Sequence, residues 1–466
     1  MDIFNVVKER YKCAGGYREF LRIAVPLILS TGLGAVEIFT DRAFLSWYSQ
    51  ETFAASAPAG TLYWSAVAFF LGTLSYVNIF VAQYYGKKEY RSIGLAIWQS
   101  IYLAFIAAFL VFCISFLSEP LFMNVGHSEA VALEEVKYFK VLSYGAFLGI
   151  SEAVFSSFYS GRGKTIIVLM ITILGLIVNV VFDYLLIFGR FGFPEMGIAG
   201  AGWATNISYV VVCVIYIILF TTRKNNIDYD TRHMKINFKF MRRLLHYGIP
   251  NGIELFFDGC GFSIFIIIVG NLGVSNLAAS NIIASIYNIA YMPLLGAGIA
   301  TSVMVGKYLG ENKVSSARVS VKSALHLSYL YVSLLVLAMG LFPDAFIYPF
   351  SYGAQADFME TLKPIVKSLL IILSMFFVFD TGTVIFSSVI RGAGDTFYVM
   401  KIFVLFSLFL EVIPAYLNVV VFKQTVFVVW GFFLFYVAAL CFSFYYRYKS
   451  SKWEKMRVIE MNVIDG

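Results

Sequence analysis

Charged residues are scarce in this sequence of 466 residues. They make up 14% of the chain, while 60% of the residues are hydrophobic, and a typical soluble domain carries about 25% charged residues. This composition excludes an ordinary soluble protein, whose surface must be covered by polar side chains. It predicts an all-α polytopic membrane protein that has the lipid bilayer as a partner.

Residues that bind metals or form disulfides are also few. The chain has five cysteines and four histidines, and neither set has the short, regular spacing of a zinc site or a disulfide framework. P-loop and H-E-x-x-H motifs are missing as well. We therefore expect no cofactor and no metal ion other than a transported Na+.

Long apolar runs fill most of the chain instead. About 20 consecutive apolar residues span a bilayer as a helix, and the runs between polar breaks predict twelve transmembrane helices. Their approximate bounds are 22–47, 53–80, 95–117, 133–158, 166–189, 198–221, 244–270, 277–304, 319–342, 362–388, 397–421 and 425–448.

Basic residues between the spans indicate the orientation of the chain. They collect at 8–22, 223–243 and 449–457, and lysine and arginine favour the cytoplasmic side of a membrane. This bias predicts an inner-membrane protein with both termini in the cytoplasm. Each basic run abuts a span, which argues against binding to nucleic acid, and we expect the chain to be monomeric.

The two halves of the chain form an internal repeat. Pro26 in RIAVP matches Pro250 in HYGIP at an offset of 224 residues. At a similar offset of 231 residues, FSSFYSGRGKT (155–165) matches FSSVIRGAGDT (386–396) with six identities in eleven positions. The halves run in the same sense, so they are parallel repeats, and transporters often place their substrate at the interface of such repeats.

One long polar break, 222–243, separates six spans from six. The sequence therefore predicts two six-helix lobes, at 1–221 and 244–449. The break would be a cytoplasmic linker, and residues 450–466 a cytoplasmic tail.

The first span carries two carboxylates and a proline. Glu37 and Asp41 are four residues apart and share one helix face, while Pro26 removes a backbone hydrogen bond and allows the helix to bend. Acidic residues inside a membrane are costly and usually face a partner or a water-filled path. The alternative is that Asp41 pairs with Arg42 and only fixes the helix end.

Further acids lie within other spans. Buried acids can exchange a proton or bind a cation such as Na+, and they attract cationic amphiphiles. Asn179 lies one turn before Asp183 and adds an amide oxygen. The remaining acids within the spans are Glu152, Glu254, Asp258, Asp380 and Glu411.

Two of these acids have simpler interpretations. Glu152 lies near the inner end of its span, where Arg162 or Lys164 could pair with it. Glu411 precedes Pro414 and could serve a local bend, while Pro250 repeats the bend expected at Pro26.

The chain resembles the multidrug and toxic compound extrusion (MATE) transporters over about residues 18–448. The stretches that carry the likeness are Pro26 followed by Asp41, AQYYGKKE (82–89), SGRGKT (160–165), NVVFDYLLIFGRFGFPEMGIAGAGWAT (179–205), YGIP followed by Asp258, and Asp380 followed by IRGAGDT. The resemblance implies two six-helix bundles in a V shape that work as a cation-coupled antiporter by alternating access.

The resemblance also implies roles for individual residues. In the DinF-like branch, acids at the positions of Asp41 and Asp183, with Asn179, are implicated in proton or sodium coupling. In the NorM-like branch, acids at the positions of Asp258 and Asp380 are implicated in cation binding. This chain carries both sets, and Glu37, Glu254, Thr205 and Glu411 are secondary candidates.

We therefore expect a secondary antiporter that exports small organic, cationic or amphipathic compounds in exchange for Na+ or protons. A flippase for lipid-linked oligosaccharides or other lipids is the first alternative, although it would favour a strongly cationic cavity. An intramembrane enzyme is the second, although its Mg²⁺-binding acid cluster is missing. A channel is a further alternative. A two-lobe repeat whose halves carry acids at different positions suits alternating access better than a channel.

Overall fold

The computed structural model describes residues 9–351 and 356–460, and at 356 and 357 it describes the backbone only. Within these ranges the chain is helical and contains no β-strand. Two predicted regions extend outside them, because residues 1–8 of the N-terminal lobe and 461–466 of the tail are not described.

From Tyr17 onward, the described part of the first half forms ten helices. They are α1 Tyr17–Tyr48, α2 Gln50–Ser75, α3 Val77–Lys87, α4 Arg91–Ser115, α5 Ser118–Met123, α6 Glu129–Tyr144, α7 Ala146–Ser160, α8 Thr165–Ile187, α9 Ile198–Phe220 and α10 Arg223–Tyr229.

The described part of the second half forms seven long or short α-helices. They are α11 Phe238–Gly270, α12 Val274–Gly310, α13 Val314–Leu341, α14 Pro343–Ser351, α15 Ala356–Ala393, α16 Thr396–Val421 and α17 Val426–Lys449.

Eleven helices of the described chain, with α2 and α3 taken together, are long and apolar enough to cross a membrane. The bent pair α6 and α7, which meet at 47°, makes a twelfth span. The predicted twelve spans are therefore confirmed when this pair counts as one. Large apolar side chains such as Phe39 (72% exposed) and Ile267 (71%) point outward, as lipid-facing residues do.

The repeat is visible in the order and length of the helices. Helices α1 and α11 have 32 and 33 residues, and each is followed by a span of closely similar length, Gln50–Lys87 and Val274–Gly310. The short helices α5 and α14 then occupy matching places, as do the final pairs α8 and α9, and α16 and α17. The predicted fold class is confirmed.

The chain packs into two compact units. Among the described residues, the N unit comprises Leu29–Ile253, Gly310–Asn312 and 458–460, and the C unit comprises 9–28, Glu254–Leu309 and Lys313–Arg457. Two of the boundaries fall in the middle of long helices, in α1 and in α11, and none falls in the polar break at 222–243. Pro26 and Pro250 lie two and three residues before these two boundaries.

Glycines allow the first half of α11 to approach α2 within the N unit. A Cβ on Gly252 would lie 2.2 Å from Thr73 Oγ1 and 2.3 Å from the carbonyl oxygen of Phe69, and one on Gly248 would lie 2.3 Å from the carbonyl oxygen of Thr73. Because real Cβ atoms do not approach other atoms this closely, only glycine permits the two backbones to pack here.

A glycine also permits a close approach of two helices in the C unit. A Cβ on Gly296 of α12 would lie 2.7 Å from backbone atoms of Ile28 in α1. The repeat thus preserves a close approach between the first helix of each half and a long neighbouring helix.

The polar break is anchored to α4 by side chains that hydrogen-bond to its backbone. Trp98 Nε1 donates to the carbonyl of Thr231, and the hydroxyl of Tyr102 donates to that of Met234, both at 2.8 Å. The side-chain oxygen of Gln99 accepts from the backbone of Asn237 at 2.8 Å. This segment is therefore an ordered part of the N unit.

Two π-helical stretches occur in α16. Ser407–Val412 and Leu417–Val421 are π-helical and flank a short α-helical turn that contains Pro414. Such bulges relieve a proline inside a helix and often occur at functional sites.

Candidate functional site

Four polar side chains meet inside the N unit. Asp41 from α1 lies close to Asp183 and Asn179 from α8 and interacts with both. The Asn179 amide also donates to the hydroxyl of Thr205 on α9 at 3.5 Å. All four are buried, and Asn179 and Asp183 have no exposed surface. The structure thus brings together the residues that the sequence nominated separately from three helices.

The oxygens of this site lack hydrogen-bond donors. Within the described residues, one oxygen of Asp41, the side-chain oxygen of Asn179 and both carboxylate oxygens of Asp183 are buried and accept no hydrogen bond. Two carboxylates that lie close together and are shielded from water repel each other strongly unless a proton or a cation lies between them. The arrangement is therefore suited to bind either one.

Asp41 and Arg42 form no ion pair in the part of the chain that is described, although their charges interact electrostatically. The side chain of Arg42 is exposed. Successive helix residues point in different directions, since only residues three or four apart face each other. The charge of Arg42 is therefore available to solvent or headgroups.

Glu37 lies one turn before Asp41 and is half-buried. It interacts electrostatically with Asp41 and with Glu152. The predicted pairing of Glu152 with Arg162 or Lys164 is wrong, because no such ion pair occurs among the described residues.

Aromatic rings hold Arg162 instead. Its Nε donates to the carbonyl of Phe158 at 2.6 Å. Its guanidinium carbon lies 3.5 Å from the ring centre of Phe158 and 4.4 Å from that of Tyr229. Cation–π contacts of this kind satisfy a partly desolvated guanidinium without a carboxylate.

In the C unit, Glu254 has a basic partner. Its carboxylate lies 3.1 Å from the guanidinium of Arg391, which also donates to the hydroxyls of Ser387 and Ser388 at 3.3 Å. Glu254 is buried and Arg391 is half-buried. This acid is thus neutralised by the chain itself.

The other acids of the C unit differ in their surroundings. Asp380 is buried and accepts a hydrogen bond from Tyr287 at 3.4 Å, whereas Asp258 is exposed. Asp258 interacts electrostatically with Glu254, Asp380 and Glu411. These acids therefore form one electrostatic group on α11, α15 and α16.

Aromatic rings surround the hydroxyl partner of Asp380. Tyr287 packs against Tyr291 at 5.2 Å and against Phe376 at 5.3 Å between ring centres. Acidic and aromatic groups together are the usual surroundings of a bound organic cation.

Glu411 is held by its own helix. It is buried, and its carboxylate accepts from the hydroxyl of Ser407 at 2.7 Å. A Cβ on Gly261 of α11 would lie 2.9 Å from this carboxylate, so the glycine leaves room for it. Glu411 lies within the first π-helical stretch, as expected if it serves the bend at Pro414.

Sequence reasoning missed the partners Arg391 and Tyr287. Arg391 lies in IRGAGDT, which was used to detect the repeat and the family resemblance but not to find a partner for an acid. An arginine at the end of an apolar span in a chain with buried acids is a usable signal. Tyr287 offered no such signal, because tyrosine is common throughout this sequence.

No group of three or more His, Cys, Asp or Glu side chains that could hold a metal ion occurs in the described ranges. A cation bound near Asp41 and Asp183 would therefore also need the amide and hydroxyl oxygens of Asn179 and Thr205.

Comparison with known proteins identifies the family. The family model named MatE matches residues 26–185 and 250–417, which is more than half of the chain. The chain is 28% identical over 386 residues to the probable multidrug resistance protein NorM of Bradyrhizobium diazoefficiens, covering 82% of each chain. It is 27% identical to the multidrug resistance protein MdtK of Pectobacterium atrosepticum, covering 81% of this chain and 82% of the other.

Solved structures share the fold. A transporter of the MOP superfamily from Pyrococcus furiosus matches with a TM-score of 0.85 at 20% identity, covering 94% of this chain and 97% of that one. A multidrug resistance MATE family transporter in an outward-facing conformation matches with a TM-score of 0.84 at the same identity and coverage. Together with the family match, the twelve spans and the repeat, these likenesses lead to one conclusion: the chain belongs to the MatE family and is a multi-pass membrane transporter, not an enzyme.

Proposed function

We propose that this transporter exports cationic or amphipathic organic compounds in exchange for Na+ or protons. The names of the related NorM and MdtK proteins support export of several drugs. The membrane-embedded acids support coupling to an ion. A carboxylate can bind Na+ or a proton, and the release of that ion can be linked to the binding of the organic substrate.

Ion coupling belongs to the N unit in this proposal. The observation that carries it is the proximity of Asp41 and Asp183. One oxygen of Asp41, both carboxylate oxygens of Asp183 and the side-chain oxygen of Asn179 accept no hydrogen bond in the described structure. No basic residue is paired with either carboxylate among the described residues. An incoming proton or Na+ is the group that would neutralise this pair.

Substrate binding belongs to the C unit. Glu254 is already neutralised by Arg391, whereas Asp258 is exposed and Asp380 lies beside aromatic rings. An organic cation would use these two carboxylates and the rings near Tyr287. The secondary candidates Glu37 and Thr205 would support the ion site, while Glu254 and Glu411 would shape the substrate site.

Reciprocal linkage would connect the two processes. If the bound ion favours the state with low affinity for substrate, substrate binding must disfavour the ion by the same factor. Pro26 and Pro250 lie next to the residues at which α1 and α11 change unit, and we assign the bending of these helices to them.

We further propose a monomer in the inner membrane with both termini in the cytoplasm. The basic stretches at the ends of the spans support this orientation. Each acidic group lies within one unit of a single chain, so neither site requires a second copy.

The test is efflux of ethidium, a fluorescent organic cation, from proteoliposomes that contain the purified protein. Sodium and pH gradients are imposed separately. We expect one of them to drive efflux and Asp183→Asn to abolish that effect. Failure of both gradients, or full gradient-driven efflux by Asp183→Asn, would overturn the proposed coupling.

A further inference from the structure

A cavity of about 300 Å³ lies at the ends of α3, α4 and α11 within the N unit. Its lining includes three basic side chains, Lys87, Lys239 and Arg243, and the apolar rings of Tyr84 and Phe240. The positive-inside bias places this end of the helices on the cytoplasmic side. None of the membrane-embedded acids lines this cavity, and it plays no part in the proposed transport mechanism.

The chain's own tail places an acid in this cavity. The carboxylate of Glu460 contacts Arg243 and lies 3.4 Å from Lys239. Its backbone carbonyl accepts from Lys87 at 2.6 Å. All three cations that line the cavity thus converge on one residue.

The residues just before Glu460 are firmly attached. The backbone of Val458 donates to the side-chain oxygen of the fully buried Gln83 at 2.9 Å, and Val458 and Ile459 are themselves buried. Glu460 in contrast has a side chain that is 60% exposed. The acid can therefore leave the cavity while the preceding residues keep their places.

Positive charge exceeds negative charge in the lining of the cavity, and without Glu460 three cations face one acid, Glu89. Lys87 has a second acidic partner, Glu89, at 2.6 Å, but Arg243 and Lys239 have only Glu460 among the ion pairs of the described chain. Arg243 and then Lys239 hold the pKa of Glu460 below its ordinary value. Exposed ion pairs of this kind contribute little to stability, so another anion can compete with the carboxylate.

We propose that this cavity binds a phosphate group and that Glu460 occupies the phosphate position until such a ligand displaces it. An arginine presents paired donors that match phosphate oxygens, and two nearby lysines add positive charge. Basic pockets between helices on the cytoplasmic side of a membrane are suited to phospholipid headgroups. The phosphate can come from an anionic lipid or from free inorganic phosphate, which share this chemistry.

Binding is measured on the full chain in a neutral detergent as a shift in Tm. One arm titrates phosphatidylglycerol against phosphatidylcholine in mixed micelles, and the other titrates sodium phosphate against sodium chloride at equal ionic strength. We expect one arm to raise Tm, and Glu460→Gln to strengthen that ligand's apparent affinity about fivefold by removing the competing carboxylate.

Two variants separate this site from general charge attraction. Arg243→Gln should weaken binding about tenfold. Arg242→Gln removes the same charge from the adjacent, exposed residue and should leave binding unchanged.

The outcomes are decisive. A response only to phosphatidylglycerol identifies a lipid headgroup, and one only to inorganic phosphate identifies the free ion. No response to either ligand, equal losses in Arg242→Gln and Arg243→Gln, or unchanged affinity in Glu460→Gln would overturn the proposal.

Discussion

At the scale of residues, three buried acids inside the membrane differ in their partners. Glu254, Asp183 and Asp380 are all buried. Glu254 has a guanidinium at 3.1 Å and Asp380 has a tyrosine hydroxyl at 3.4 Å, whereas Asp183 faces another carboxylate. Asp183 thus has neither a cation nor a hydrogen-bond donor among the described residues, which is why we assign the proposed coupling to it.

Substitution of Asp183 should therefore affect coupling rather than folding. Asp183→Asn has nearly the same shape but removes one charge of the pair, so we expect gradient-driven efflux to fall at least about tenfold with unchanged Tm. Efflux from proteoliposomes measures this.

Glu411→Gln is the matched control for that experiment. It also neutralises a buried intramembrane acid, but one that has a hydroxyl donor in its own helix and is assigned to the substrate site. Efflux by Glu411→Gln can therefore be slower, but it should still depend on the ion gradient. Loss of the gradient dependence in both variants would contradict the assignment of coupling to Asp183.

Removal of Arg391 should destabilise the C unit. Arg391→Gln leaves Glu254 buried without a counterion, which typically costs about 3–5 kcal/mol, so Tm should fall clearly. The double variant Glu254→Gln/Arg391→Gln leaves no uncompensated charge and should recover much of the loss. A double variant as unstable as Arg391→Gln would show that the pairing does not explain the effect.

At the scale of elements, the close approach of α11 to α2 depends on glycine. In Gly252→Ala the new Cβ would overlap Thr73, and overpacking of this kind costs about 1–3 kcal/mol. We expect a lower Tm for this variant in detergent.

Gly32→Ala in α1 is the matched control, since a Cβ there would meet no atom within 4 Å. Alanine is the better helix former, so this variant should be neutral or slightly stabilising. Equal destabilisation by both substitutions would contradict the packing argument.

The sequence predicted most of these elements, because hydropathy alone determines which segments can cross lipid and the repeat aligns them. It also nominated Asp41, Asn179 and Asp183, whose contact the structure then revealed. It did not predict the break between α6 and α7, where a Cβ on Gly145 would clash with Asn206. The break depends on Asn206, which lies 61 residues after Gly145, so no local sequence pattern indicates it.

The unit boundaries escaped prediction for a similar reason. A polar break marks where the chain leaves the membrane, but packing inside α1 and α11 decides which unit each half of these helices joins. Arg391 escaped because its partner Glu254 lies 137 residues away.

At the scale of the whole molecule, one repeated frame carries two kinds of site. Asp41 aligns with Phe265 at the offset of the repeated prolines, and Asp258 aligns with Gly34. The duplicated halves thus share helix order but not acids. Such asymmetry is what an exchanger needs if one unit binds the ion and the other binds the substrate.

The orientation of the whole chain is also testable. If both termini are cytoplasmic, alkaline phosphatase fused after the last residue should be inactive and green fluorescent protein at the same place should fluoresce. The opposite pair of results would reverse the predicted topology.

The most direct test of the coupling claim is ion release on substrate binding. Ethidium is added to purified wild-type protein in a weakly buffered solution, and released protons are followed with a pH indicator, in parallel with displacement of bound ²²Na+. We predict that the wild type releases one of these ions when ethidium binds. Asp183→Asn should still bind ethidium but release neither ion. Binding of ethidium without release of either ion, or undiminished release by Asp183→Asn, would contradict the account.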